Sequence, residues 1–214
     1  MKKGIIFDLD GVIVDTAPFH YLAWKETAEK LGIEIDEEFN ENLKGIDRYN
    51  SLQRILKHGD VEISEDEKEQ FMKEKNDKYL ELLNELNEAQ ILEGIAGFVK
   101  NLKAEGYKLA IASASKNAPL ILKKIGFYEY FDEIVDPSSV RGKPFPDIFQ
   151  KGAELLGLDI SECVGIEDSS AGIDSINDAG IYSVGIGEQE ILNKADIVLK
   201  STGLLSVDFI KELS

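Results

Sequence analysis

The chain has 214 residues, which is enough for one large domain or for a core domain with a smaller inserted one. Its formal net charge of −17 argues against a nucleic-acid or membrane partner, and it requires a local cluster of cations wherever an anionic substrate binds. The apolar stretches are too short to span a bilayer, the N-terminal residues lack a signal-peptide pattern, and the single cysteine, Cys163, is expected as a buried core thiol. We therefore expect a cytoplasmic monomer without intrachain disulfides.

The first predicted element is a buried strand over residues 4–9, which ends in two acids. The segment IIFDLDGVIVDT places Asp8 and Asp10 two residues apart, and Gly11 follows them. Residues i and i+2 of a strand point the same way, so both carboxylates can face one pocket while Leu9 turns into the core. Unpaired charges at the end of a buried strand are unfavourable, which indicates that these acids coordinate a ligand or react.

From about residue 16 to residue 90 the hydrophobic pattern has a helical period. Thr16 precedes a proline-containing segment and can begin a helix, which Gly32 can end. Ser64 with Glu67 predicts a capping box at the start of a long, acidic helix. One face of the first helix is predicted to carry His20, Trp24, Thr27 and Leu31. These features are typical of a small helical bundle with acidic outer faces.

From about residue 91 onward, short apolar strands alternate with helices. Strands are predicted at Leu109–Ala112, Ile134–Val135, Cys163–Ile166, Ser183–Ile186 and Ile197–Leu199. Helices are predicted near 94–105, 117–125, 146–156 and 170–179. This alternation implies right-handed crossovers and a parallel sheet. The first strand belongs to the same sheet because it has the same continuous apolar character.

The order of these patterns predicts an α/β fold with a helical insertion after the first strand. We expect a parallel-sheet core formed by residues 1–15 and 91–214, and a helical cap formed by residues 16–90. A cap attached through two linkers can move as a hinged unit.

Side chains suited to phosphate chemistry follow several of the predicted strands. In an open parallel sheet, ligands bind at the carboxyl ends of the strands. That edge should collect the two acids after the first strand, the segment SASKN at 113–117, Lys143 in GKPFPD, and Glu167 and Asp168. We therefore expect acids, hydroxyls and one lysine to line a common site.

A divalent cation would relieve the repulsion among these acids, and oxygen ligands with room for phosphate favour Mg²⁺. Lys143, Ser113 and Ser115 supply the charge and hydroxyl groups that a phosphate needs. Backbone amides at 115–117, where a helix begins, would add an anion-binding end. One aspartate could then attack phosphorus to form an aspartyl phosphate, while a second acid transfers protons.

Four segments of the chain resemble the motifs of the haloacid dehalogenase superfamily of phosphotransferases. They are DLDGVIVDT, SASKN, GKPFPD and GIEDSSAGI, in that order. The resemblance implies a Rossmann-like core, and a helical cap inserted after the first strand is a known subtype. It also implies that Asp8 is the nucleophile and that Asp10 is the general acid and base. The implied Mg²⁺ ligands are Asp8, the Asp10 carbonyl, Glu167 and Asp168.

The cap segments HYLAWK, LKGIDRYNSL and EKND are similar to those of sugar-phosphate mutases in the same superfamily. This resemblance implies interconversion of β-glucose 1-phosphate and glucose 6-phosphate through a bisphosphate. The transferred phosphate would be held by Ser113, Ala114 and Lys143. The distal phosphate would be held by Ser115, Lys116, Asn117 and Arg48. The sugar would be surrounded by His20, Trp24, Gly45, Ile46 and Lys75. In relatives the bond before the proline of the lysine motif is cis, which implies the same at Lys143–Pro144.

The core motifs alone do not separate a mutase from a sugar-phosphate phosphatase, because both form the same phosphoaspartate. Arg141, just before the lysine motif, departs from the familiar pattern of the family. This departure slightly weakens the mutase prediction without changing the predicted chemistry. A catalytically inactive binding protein would usually lack the nucleophile or a metal ligand, and none is missing. A dehalogenase is disfavoured because it does not need the second aspartate or the Mg²⁺ ligands.

Overall fold

The computed structural model describes residues 2–213. One parallel sheet contains β1 (Gly4–Phe7), β2 (Lys108–Ile111), β3 (Glu133–Ile134), β4 (Cys163–Glu167), β5 (Tyr182–Ile186) and β6 (Ile197–Leu199). Their order across the six-stranded sheet is β3-β2-β1-β4-β5-β6, and each pair of neighbours runs parallel. The α/β class and the parallel sheet predicted from the sequence are confirmed.

Helices connect these strands and also form the segment between β1 and β2. That segment contains α1 (Ala17–Lys30), α2 (Glu37–Glu41), α3 (Arg48–His58), α4 (Glu65–Leu82) and α5 (Ile95–Ala104). The later helices are α6 (Ala118–Lys124), α7 (Asp147–Leu156), α8 (Ser170–Asp178) and α9 (Val207–Glu212). Most predicted helix ends agree to within one or two residues, while α9 was not predicted. Across residues 2–213, no helix combines the length and the apolar character needed to cross a membrane.

β1 ends earlier than the strand predicted over residues 4–9. The N–H of Asp8 still donates to β4 at 2.9 Å, but the chain then turns, and the carbonyl of Leu9 accepts a hydrogen bond from the N–H of Ile13 at 2.9 Å. Gly11 has a φ of +83° in this turn, a conformation that favours glycine. The turn leaves Leu9 buried in the core and places both acids at the end of the sheet.

Three groups of buried apolar side chains hold the molecule together. Ile5 and Phe7 pack in one group and Ile6 packs in a second, because alternate residues of a strand face opposite sides of the sheet. Trp24 and Leu52 belong to the third group, which joins α1 to α3. The helical segment therefore has an apolar cluster of its own beside those on the two faces of the sheet.

The two chain segments that connect the sheet with α1–α4 run side by side. The N–H of Asp15 donates to the carbonyl of Gln90 at 2.9 Å, and the N–H of Leu92 donates to the carbonyl of Ile13 at 3.0 Å. If α1–α4 moved relative to the sheet, both connecting segments would have to bend, and these two hydrogen bonds would either be kept together or be broken together. The division into a core and a cap of residues 16–90 stays our prediction.

Replacement of Ser64 tests the predicted capping box at the start of α4. The N–H of Glu67 donates to the Ser64 hydroxyl at 3.3 Å, and the Glu67 carboxylate accepts from the Ser64 N–H at 2.8 Å. Ser64→Ala should lower the free energy of unfolding by about 1 kcal/mol, as measured by urea denaturation. Ser201→Ala is the matched control, because Ser201 precedes a short helix without forming a side-chain cap. Equal losses in both variants would contradict the prediction.

Candidate active site

Three carboxylates converge where β1 and β4 end. Asp8 directly follows β1, Glu167 is the last residue of β4, and Asp168 follows it. One carboxylate oxygen of each acid lies within 4.8 Å of those of the other two. The arrangement follows from the pairing of β1 with β4, because neighbouring parallel strands end at the same edge of the sheet.

The ammonium group of Lys143 is buried among these acids. Its Nζ lies 2.5 Å from Asp8 Oδ1 and also donates to Glu167 Oε1. Burial by itself lowers the pKa of Lys143, but the two carboxylates outweigh burial and raise that pKa above its ordinary value. The lysine is therefore held in its charged form. The Lys143–Pro144 bond is cis, as the resemblance implied.

Negative charge nevertheless exceeds positive charge at this edge of the sheet. Burial raises the pKa of Asp8 to about 8, even though Lys143 opposes the shift. Burial and the adjacent carboxylates of Glu167 and Asp8 raise the pKa of Asp168 well above its ordinary value. A hard divalent cation prefers carboxylate oxygens and would offset this charge. The donor set therefore fits such an ion.

The carboxylate of Glu167 is fixed by the first turn of α8. Its Oε2 accepts hydrogen bonds from the N–H of Ser169 at 2.7 Å and from the Ser169 hydroxyl at 2.9 Å. A Cβ atom on Gly172 would overlap this carboxylate, so the close approach of α8 requires glycine there. With one oxygen held in this way, the other is directed toward Lys143.

Asp10 lies in a different environment from Asp8. Its Oδ1 accepts a hydrogen bond from the hydroxyl of Thr16 and lies 3.9 Å from Nε2 of His20. Burial raises the pKa of Asp10, although the Thr16 bond opposes the shift. Because its carboxyl group is not paired directly with Lys143, Asp10 is the acid better placed to hold and release a proton.

A buried lysine and two aromatic rings form one wall of the site. The Lys75 ammonium lies 4.8 Å from the ring centroid of Trp24 and 4.7 Å from that of Tyr79. It also lies 3.1 Å from Nδ1 of His20. Burial and the positive charge of Arg48 lower the pKa of Lys75 to about 7. The surroundings of this amine therefore disfavour its charged form, and the amine can donate hydrogen bonds whether or not it is charged.

Polar side chains from α3, α4 and the loop before α6 meet along the same cavity. Nη2 of Arg48 donates to Oδ1 of Asn76 at 2.7 Å, and Nδ2 of Asn117 donates to the same oxygen at 3.0 Å. Lys116 is exposed and lines this part of the cavity with Arg48. Arg48 and Lys116 thus provide positive charge at a distance from the carboxylates.

Two backbone amides that were expected to bind an anion are hydrogen-bonded within their own loop. The N–H of Ser115 donates to the Ser113 hydroxyl at 3.1 Å, and the N–H of Asn117 donates to the Ser115 hydroxyl at 3.2 Å. The helix itself begins one residue later than predicted, at Ala118. Such serine turns compete with other partners for backbone N–H groups.

A cavity of about 510 Å³ connects the two ends of the site, a size suited to a small polar ligand. Most residues singled out in the sequence line it: Asp8, Asp10, His20, Trp24, Gly45, Ile46, Arg48, Lys75, Ser113, Ala114, Ser115, Lys116, Asn117 and Asp168. Glu167 and Lys143 lie just beneath, with fully buried side chains. The structure therefore places every predicted site residue in or directly under one cavity.

Thr16, Asn76 and Tyr79 contact the site and were not among the predicted site residues. Thr16 contacts Asp10, and Asn76 and Tyr79 take part in the contacts described above. Lys44, which lies in the cap segment LKGIDRYNSL, is 4.0 Å from Asp168. Tyr79 follows Lys75 by four positions, so the helical period could have placed both on one face. Asn76 had no such signal, because its partners lie on other elements.

Arg141 has a local structural role. Its guanidinium forms two 2.8 Å hydrogen bonds with the carboxylate of Asp147 and lies 4.5 Å from the ring centroid of Phe145. These contacts brace the loop on either side of Lys143. The added cation in this motif is therefore compensated within the loop.

Comparison with known proteins agrees with this arrangement. A family model for haloacid dehalogenase-like hydrolases matches residues 2–180. A β-phosphoglucomutase of Bacillus subtilis is 42% identical over 213 residues, which cover 98% of this chain and 94% of the relative. A crystal structure of β-phosphoglucomutase from Clostridium difficile has a TM-score of 0.96 and 46% identity, with coverage of 99% and 96%. A phosphorylated carbohydrates phosphatase of Thermotoga maritima is 28% identical over 203 residues, with coverage of 93% and 91%.

Asp168→Asn tests the carboxylate cluster as a divalent-cation site. Even indirect partners of a metal contribute about 10- to 100-fold to its affinity, so loss of a ligand should weaken Mg²⁺ binding at least about tenfold. Titration calorimetry and the Mg²⁺-induced rise in melting temperature measure the effect. The control is Asp178→Asn, which changes an exposed acid at the end of α8, the helix that follows Asp168. This variant should bind Mg²⁺ like the unmodified protein. Unchanged affinity in Asp168→Asn would exclude this site.

Proposed function

Because this chain belongs to the haloacid dehalogenase-like hydrolase family, we propose that its cavity is the active site of a β-phosphoglucomutase. The enzyme interconverts β-glucose 1-phosphate and glucose 6-phosphate through an aspartyl phosphate and β-glucose 1,6-bisphosphate. The observation that carries this conclusion is that one cavity contains two differently built groups. The first is the carboxylate cluster with Asp8, and the second is the pair of cations Arg48 and Lys116, which come from other elements of the fold.

Asp8 is the proposed nucleophile. One of its carboxylate oxygens bonds to phosphorus of the bisphosphate while the bond between phosphorus and the sugar oxygen breaks. The products of this step are an aspartyl phosphate and a hexose monophosphate. Lys143, which is ion-paired with Asp8, supplies positive charge beside the phosphoryl oxygens on which negative charge builds up.

Asp10 is the proposed general acid and base. It gives its proton to the departing sugar oxygen, and in the reverse transfer it takes the proton of the attacking sugar hydroxyl. The raised pKa of Asp10, caused by burial, supports this assignment because it lets the side chain hold the proton. Thr16 and His20, which lie next to its carboxylate, orient the group.

Mg²⁺ is the divalent ion we propose, bound by Asp8, the carbonyl of Asp10, Glu167 and Asp168. When bound, it supplies additional positive charge to the phosphoryl group in transfer. We assign the transferred phosphate to Ser113, Ala114 and Lys143. We assign the distal phosphate to Arg48, Ser115, Lys116 and Asn117. The sugar would contact His20, Lys75 and the backbone of Gly45 and Ile46, with Trp24 behind Lys75.

A mutase must let either end of the bisphosphate reach Asp8 while keeping water from the aspartyl phosphate. Two cationic phosphate sites in one cavity meet the first requirement, because the ligand can bind in either direction. A cap that closes over the sugar would meet the second. The sugar phosphates are the proposed small-molecule partners. The proposal further includes that the enzyme is a cytoplasmic monomer without nucleic-acid or membrane partners.

The phosphatase alternative has less support. The Thermotoga phosphatase shares 28% identity with this chain, whereas the Bacillus mutase shares 42% over a similar span. A phosphatase needs the carboxylate cluster and Lys143 but has no need of a second phosphate site at Arg48 and Lys116. The two activities are separated by the acceptor of the phosphoryl group, which is water in one and a sugar hydroxyl in the other.

A product assay tests the proposed reaction directly. The protein is incubated with β-glucose 1-phosphate, Mg²⁺ and a trace of β-glucose 1,6-bisphosphate, and both glucose 6-phosphate and inorganic phosphate are measured. We expect glucose 6-phosphate to form with little phosphate release. Asp8→Asn is the negative control and should form neither product. Release of inorganic phosphate without glucose 6-phosphate would establish the phosphatase instead.

Asp10→Asn tests the separation of roles between the two aspartates. The substitution removes the transferable proton, so kcat for the mutase reaction should fall by roughly 100-fold or more. Mg²⁺ binding measured by calorimetry should change little, because the backbone carbonyl is retained. Asp15→Asn, an exposed acid in the same segment, is the control and should keep its activity. A large loss of Mg²⁺ affinity in Asp10→Asn would refute the proposed ligation through the carbonyl.

A further inference from the structure

Asn76 connects two residues that lie on opposite sides of the cavity. Its Oδ1 accepts one hydrogen bond from Nη2 of Arg48 at 2.7 Å and a second from Nδ2 of Asn117 at 3.0 Å. Arg48 begins α3 and Asn76 lies in α4, whereas Asn117 follows β2. We propose that Asn76 is a positioning residue, which aligns Arg48 and Asn117 for the distal phosphate. This inference rests on the function proposed above.

The orientation of the Asn76 amide follows from the chemistry of its partner. A guanidinium group has donors and no acceptor, so the atom of Asn76 that faces Arg48 must be the oxygen. Asn117 approaches that same oxygen and must therefore present its NH₂ group. One contact thus determines the orientation of both amides, and the contact with a cation is the stronger kind of hydrogen bond.

The Asn76 side chain is uncharged, and this matters for phosphate binding as much as its position does. A carboxylate at this position would also align Arg48, but it would cancel the positive charge that a phosphate requires. The amide oxygen occupies a single donor of Arg48, whose guanidinium has five. Arg48 therefore keeps its charge and several free donors for an anion, in a chain whose net charge is −17.

The hydrogen bonds of Asn76 also depend on how close the two sides of the cavity are to each other. Both hydrogen bonds to Asn76 can form together when α3, α4 and the loop before α6 are close to one another. A phosphate that binds Arg48 and Asn117 at once needs the same closeness. Asn76 therefore favours the arrangement in which the distal phosphate is bound, without touching the reacting phosphorus.

Asn76→Ala tests this role through two reactions of one enzyme. Mutase turnover is measured with β-glucose 1-phosphate and the bisphosphate, which use the distal site. Phosphorylation of Asp8 by acetyl phosphate is measured in parallel as the rate of acetate release, because this donor has a single phosphate and needs only the site around Asp8. We expect KM for β-glucose 1-phosphate and for the bisphosphate to rise about tenfold, while the rate of acetate release stays within about twofold.

A double-mutant cycle shows whether Asn76 acts through Arg48. If it does, Asn76→Ala should cause a smaller loss in the Arg48→Ala background than in the unmodified enzyme, because only its contact with Asn117 is left to lose, whereas fully independent effects would multiply. Asn76→Ser, whose side chain is too short to contact both donors, should behave like Asn76→Ala and provides a second variant should the first fold poorly. Asn101→Ala, an exposed asparagine in helix α5, is the control and should match the unmodified enzyme.

Four outcomes would overturn the inference. Unchanged KM values in both Asn76 variants would show that the contact has no part in phosphate binding. Equal losses in the mutase and acetyl phosphate reactions would indicate a general structural defect. Multiplicative effects with Arg48→Ala would show that Asn76 acts independently of Arg48. If the unmodified enzyme formed no glucose 6-phosphate, the proposed function would fail and this inference with it. If the unmodified enzyme formed glucose 6-phosphate normally and the Asn76 variants were unaffected, the inference would be rejected and the proposed function would stand.

Discussion

The ion pairs of Lys143 with Asp8 and Glu167 are the interactions on which the site depends. The pairing of β1 with β4 forces three carboxylates within 4.8 Å of one another in a largely buried position. Such a cluster is unfavourable without compensation. Lys143 provides a buried cation from a different segment of the chain, the loop before α7. The sheet can therefore end in a cluster of buried acids, because this loop brings Lys143 to the same edge.

The cavity has opposite charges on its floor and its walls. Its floor is acidic, while cations outnumber the acids Asp47 and Glu69 along its walls. These cations are Lys44, Arg48, Lys73, Lys75 and Lys116. This arrangement answers the electrostatic problem posed by a net charge of −17, which repels phosphate esters at long range. Close to the protein an anionic ligand would meet clustered cations, and Asp8, Glu167 and Asp168 could hold a divalent ion that offsets their own negative charge. The net charge of the protein thus repels anions at long range, whereas the cations that line the cavity attract them at short range.

Helix α4 shows how one element can serve both stability and recognition. Its first turn is exposed, acidic and capped by Ser64, which suits a solvated helix N-terminus. Farther along, Lys75 and Tyr79 are buried against α1, and Asn76 between them reaches toward Arg48. The helix therefore directs a short run of residues into the cavity. Its first turn faces water, while Phe71, Met72, Leu80 and Leu82 pack against the apolar clusters.

The sequence by itself determined the fold class, the succession of elements and the acids and lysine at the strand ends. These features follow from local patterns, since apolar runs, caps and the residues after a strand are all read within a few positions. The tertiary structure decided the end of β1, which depends on the turn bonds of Leu9, and the contacts of Asn76 with Arg48 and Asn117. Those partners are 28 and 41 positions away in the chain. Sequence spacing fixes distances within a helix or strand, whereas contacts between elements depend on how they pack.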